Sequence, residues 1–67
     1  MSTSLTQPEL AALSLTARGY STRETAGTLR KSPETVKAQL GLARLKLGAR
    51  NTTHAVVIAL DEGLIAA

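Results

Sequence analysis

An all-α fold, a four-helix bundle containing a helix-turn-helix, follows from three features of the sequence. Four segments each begin with polar capping chemistry and continue with apolar residues at helical spacing. Glycines at 19, 48 and 63 stand where three of those helices would stop. The 67 residues suffice for one small domain, expected over 1–67 with a disordered tail at 1–4. A chain this short buries only about 60% of the surface its unfolded form exposes, so its core must be compact.

The first helix, about 7–18, starts at Thr6-Gln7-Pro8-Glu9. Thr6 can accept from the amide of Glu9 while the carboxylate reaches back, and Pro8 removes a first-turn amide that had no partner. Leu10, Leu13 and Ala17 form its apolar stripe. Ser21-Thr22-Arg23-Glu24 repeats the capping box and opens a brief second helix, about 22–29, with Ala26 and Leu29 inward. Gly27 costs such a helix on the order of 1 kcal/mol against Ala, so it is expected to permit close packing. The third helix, about 33–47, opens at Ser32-Pro33-Glu34, a cap, a proline and a first-turn acid. At 100° per residue, Val36, Leu40, Ala43 and Leu47 make its buried stripe. Its opposite side presents Glu34, Lys37, Ala38 and Gly41, with Arg44 at the edge. Asn51 caps the fourth helix, about 52–62, with Val56, Ala59 and Leu60 inward. Val57 and Ile58 point elsewhere and suggest a partner surface.

Composition removes most other functions. There is no Cys, and a lone His54 cannot form a multi-histidine metal site. No His-acid-nucleophile set or phosphate loop is present, so the chain is expected to be no enzyme and to take no metal, cofactor or small-molecule ligand. With one Tyr and no Phe or Trp it lacks the rings that stack single-stranded bases. No membrane partner is expected, since no apolar run approaches about 20 residues, and with no signal peptide the expected location is cytoplasmic. All eight Lys and Arg fall between Arg18 and Arg50 beside only Glu24 and Glu34, a net +6, whereas the flanks carry Glu9, Asp61 and Glu62, a net −3. A basic middle with acidic ends suits duplex nucleic acid.

A short helix, a turn around Arg30-Lys31, and a longer helix with a small and basic outer face make a helix-turn-helix, in which the second helix reads the major groove. Further positions carry a family likeness: Leu5-Thr6 followed by Glu9, Gly19, Glu24, Ala26, Thr35-Val36-Lys37 and Leu40. It continues through Lys46 to Asn51 (KLGARN), Ala55-Val56, Ala59-Leu60 and Gly63 to Ile65 (GLI). In these positions the chain resembles the LuxR-type, GerE-like helix-turn-helix domain of bacterial transcription regulators, from Leu5 to Ile65. The fourth region of sigma factors is a weaker match, lacking the KLG and GLI endings.

The resemblance implies a DNA-binding transcription regulator, bacterial or phage-like and nucleoid-associated, whose third helix enters the major groove of duplex DNA. Lys37 is then the principal base-edge or phosphate contact and Ala38 a small residue facing the bases. Ser32 and Thr35 would bond phosphates at the helix start, and Lys46 would be a cation near the DNA backbone. Arg44 is basic without occupying a position the family reserves for a cation; Glu34 could accept from cytosine. The resemblance also implies dimerisation through the fourth helix, as a homodimer or with a related regulator, at a surface comprising His54, Val57, Ile58 and Asp61. Arg18 and Arg23 read as solvated.

The departures from the family pattern are specific. Thr25 and Lys31 stand where relatives carry aliphatic residues, thinning the contact between the second and third helices, and Gln39 replaces a frequent His. Gly41 stands where relatives often carry a base-reading side chain, which leaves less direct readout and more reliance on DNA shape. Leu42 and Leu45 lie off the buried stripe. Relatives usually carry a sensor domain ahead of this one, so the expectation is a free-standing regulator. The alternative is a protein-interaction module, a degenerate helix-turn-helix that binds a polymerase subunit, a sigma factor or a larger LuxR-type regulator through the fourth helix.

Overall fold

The computed structural model describes residues 5–66, and the expected tail at 1–4 lies outside them. Four helices follow one another: α1 (Gln7–Ala17), α2 (Thr22–Leu29), α3 (Pro33–Leu47) and α4 (Thr52–Asp61). Their starts are the predicted ones. Thr6 and Glu9 close a reciprocal capping box on α1, as Ser21 and Glu24 do on α2, while Ser32 and Asn51 each accept from the amide three residues on. Each cap satisfies amides that the first turn leaves unbonded. Gly19, Gly48 and Gly63 all have positive φ, the left-handed conformation that a helix exit favours.

The central helix α3 packs against the other three. Its Val36, Leu40 and Ala43 meet Ala12 and Leu13 of α1, Ala26 of α2, and Ala55, Val56 and Ala59 of α4 in one core. Much of that core is alanine, and small side chains let helix axes approach closely enough to fill the interior without aromatic residues. After Gly63 the chain doubles back: the amides of Leu64 and Ile65 both donate to the carbonyl of Ala59, at 2.9 and 3.4 Å, and Ile65 is buried.

Three expectations about packing are corrected. Gly27 is exposed, and a Cβ built there would meet nothing within 4 Å, so close helix approach does not explain it. On α2 the fully buried residue beside Ala26 is Thr25, with Leu29 only half-buried. On α4 Ile58 packs against the core, whereas Leu60, expected inward, is 36% exposed. Among the described residues no helix is long and apolar enough to cross a membrane, and no group of acidic or histidine side chains could hold a metal ion.

Candidate nucleic-acid interface

The turn between α2 and α3 determines how α3 is presented. Arg30 ends α2 in the left-handed region, with φ 58° and ψ 47°, and the amide of Lys31 then donates to the carbonyl of Ala26 at 2.9 Å. This reverses the chain within two residues and delivers Ser32 to the start of α3. A non-glycine residue in this conformation costs about 1–2 kcal/mol, and the sequence carried no glycine to announce it. The Ser32 hydroxyl accepts from the Thr35 amide at 3.1 Å and donates to the Thr35 hydroxyl at 2.9 Å. The two side chains expected to hold phosphates therefore support one another at the helix start, where free amides and the helix dipole also favour an anion.

From that start the outer face of α3 is open. Glu34, Lys37 and Ala38 are exposed, and Gly41 is half-buried on the same side. Lys37 has no hydrogen bond or ion pair to any described residue, which leaves its charge available to an outside partner. A shallow depression between the starts of α2 and α3 is lined by Thr22, Arg23, Pro33, Glu34 and Lys37. Arg23, read from sequence as merely solvated, thus lines the same depression as Lys37. The Ser21 capping box places Arg23 in the first turn of α2, but only the fold brings that turn to the start of α3.

Two predicted contacts are drawn inward at the far end of α3. The Arg44 guanidinium donates from Nη1 to the carbonyl of Ala49 at 3.1 Å, half-buried, and so secures the connection to α4. Lys46 Nζ lies 2.9 and 3.1 Å from the two carboxylate oxygens of Glu9, which is only 3% exposed. Burial acts to raise the Glu9 carboxyl, but the Thr6 amide and the Lys46 ammonium outweigh it and hold the group below its ordinary value. The candidate set thus divides: Ser32 at the cap and Glu34, Thr35, Lys37, Ala38 and Gly41 in the first three turns lie on the outward side of α3, while Arg44 and Lys46 bond within the chain.

The expected partner surface on α4 also changes composition. His54 is exposed, its Nδ1 accepting from the Arg50 amide at 3.1 Å, and Asp61 is exposed as well. Val57 is 49% exposed, and Leu60 takes the place that Ile58 was expected to fill.

Comparison with known proteins agrees with this architecture. A family model for bacterial regulatory proteins of the luxR family, GerE, matches residues 3–59. The chain is 38% identical over 63 residues to the transcriptional regulatory protein YdfI of Bacillus subtilis (strain 168), a match that covers 94% of the chain and spans 30% of that relative's length. Among solved structures, the transcription factor GerE superposes with a TM-score of 0.88 at 29% identity, covering 92% of each chain. The phage VqmA-DPO complex gives a TM-score of 0.82 at 32% identity over 90% of this chain and 28% of that one.

Proposed function

The chain belongs to the luxR family of bacterial regulatory proteins and is a DNA-binding transcriptional regulator domain, and from that premise we propose that it reads duplex DNA by inserting α3, chiefly its first three turns, into the major groove. The observation that carries this reading is the pairing of an exposed Lys37, without a partner among the described residues, with a capped helix start one turn away. Lys37 supplies the charged contact to a base edge or phosphate, Ser32 and Thr35 the polar helix start, and Arg23 a second cation against the backbone. Ala38 and Gly41 keep the face low enough to enter a groove about 12 Å wide. Glu34 then stands where it can accept from a cytosine amino group and reject a phosphate. Arg44 and Lys46 play a supporting part, holding the α3–α4 connection and α1 in place.

Dimerisation through α4 belongs to the same proposal. Val57 and Leu60 are its exposed apolar residues, flanked by His54 and Asp61, and a second copy of the chain, or a related regulator, would cover them. The competing reading, a protein-docking module acting through this α4 face without DNA contact, draws on the same two side chains.

Titration of duplex DNA with the protein at several salt concentrations, beside Lys37→Ala, tests the DNA reading. Affinity falls steeply with salt, and the variant binds more weakly; if Lys37 meets a phosphate, the logarithmic salt slope drops by about one. Affinity no better than millimolar at low salt would sink the DNA reading and leave the docking module.

A further inference from the structure

The outer face of α3 is apolar beyond Lys37. At 100° per residue, Ala38, Leu42 and Leu45 fall within an arc of about 60°, opposite the buried Val36, Leu40 and Ala43. Leu42 is 49% and Leu45 64% exposed, and with the exposed Ala38 they form a continuous strip along the helix. No side chain on that strip can form a hydrogen bond. Gly41 lies at its edge, and a Cβ built there would meet nothing within 4 Å, so packing inside the chain does not require a glycine at a helical position where it costs about 1 kcal/mol. A bare position next to exposed leucines allows the helix backbone to settle close to an external surface and press the leucines against it.

Resting on the DNA reading above, we propose that Leu42, with Ala38 beside it, reads thymine C5-methyl groups, so that the sites this helix prefers place A·T pairs under the apolar strip. The argument is chemical. Thymine is the base whose major-groove edge carries an apolar group, and the strip adjoins the end of α3 that presents Lys37 and the Ser32 cap. The spacing fits as well: Ala38 and Leu42 are four residues apart, about 6 Å along the helix, and successive bases on a strand rise by about 3.4 Å. The two side chains therefore meet bases about two steps apart. Polar discrimination falls to Lys37 and Glu34 alone, and the methyl contacts supply what Gly41 withholds.

The test begins with selection of duplexes retained by the protein from a random pool. In a recovered duplex each thymine is then replaced singly by deoxyuridine, which removes the C5 methyl and leaves every hydrogen-bonding group in place. One or two positions lose about fourfold in affinity, the loss expected for uncovering a methyl group. For Leu42→Ala the replacement under Leu42 costs nothing, while one under Ala38 keeps its cost, and at the Leu42 position the variant binds the deoxyuridine duplex as well as the unaltered protein does. If the recovered duplex binds with the salt dependence described above but deoxyuridine costs nothing, or costs as much at every position in Leu42→Ala, the methyl reading falls and the DNA reading stands. If no duplex is retained at all, both fall, and the strip is a protein-binding surface.

Discussion

The Glu9 carboxylate is clasped by the Lys46 ammonium, 2.9 Å from one oxygen and 3.1 Å from the other, and so joins the start of α1 to the last turn of α3 across 37 positions of sequence. Glu9 Oε1 accepts from the Thr6 amide as well, at 2.9 Å, so one buried carboxylate both caps a helix and cross-links two. Lys46 is 29% exposed in its side chain, which moderates the cost of leaving it unpaired. Glu9→Gln is expected to lower unfolding free energy by about 1–2 kcal/mol at pH 7. The folded-state pKa of Glu9 lies below the unfolded value, so its contribution is complete above an unfolded pKa of about 4.3 and is lost as pH falls through the lower folded value. Urea denaturation at pH 7 and pH 3 checks this: the gap between the two proteins narrows in acid, and an equal gap at both pH values would refute the assignment.

Thr25 is wholly buried and its hydroxyl oxygen has no hydrogen-bond partner among the described residues. Thr25→Val replaces that hydroxyl with a methyl of similar shape and is expected to stabilise the domain by about 1 kcal/mol. Thermal denaturation would register a rise of about 4–8 °C. A lower midpoint would mean that the hydroxyl is satisfied in solution.

Gly27 lies inside α2 with open space where a Cβ would stand. Gly27→Ala should gain up to about 1 kcal/mol from helix propensity alone, measured by the same melt. No gain would show that some contact outside this chain, rather than folding, is served by the glycine.

Val57 and Leu60 carry the proposed self-association. Val57→Glu with Leu60→Glu is expected to leave the fold intact, since both side chains are well exposed, and to convert a sedimenting dimer to monomer. Sedimentation identical for the two proteins would remove α4 from the interface. Ile58→Glu is the unsuitable choice, because that side chain packs against the core and its loss would unfold rather than dissociate.

The helix starts were legible because capping is local: Thr6 with Glu9, Ser21 with Glu24 and Ser32 with Thr35 each declare themselves within four residues. The partition of α4 was not. Taking Ala55, Val56 and Ala59 as the buried centre, Ile58 and Leu60 lie about 100° to either side of it. Periodicity ranks the two equally, and only the placement of α1 and α3 against α4 chooses Ile58 for the interior. The Glu9–Lys46 pair escaped notice for the related reason that each residue already had a local explanation, a capping acid and a helix-end cation. The left-handed Arg30 had no glycine to advertise it, and the turn had to be seen to be known. At the candidate interface the sequence placed Lys37, Ala38 and Gly41 on the outer face, and missed that Arg44 is turned back onto the Ala49 carbonyl.

Ile65 has a practical bearing on any dissection of this polypeptide. Its side chain stops one end of the alanine-rich interior from a position beyond the last helix, held there by the reversal at Gly63. A fusion joint, protease site or truncation placed at the end of α4, where helical structure stops, would uncork that interior, so the workable boundary lies after Ile65.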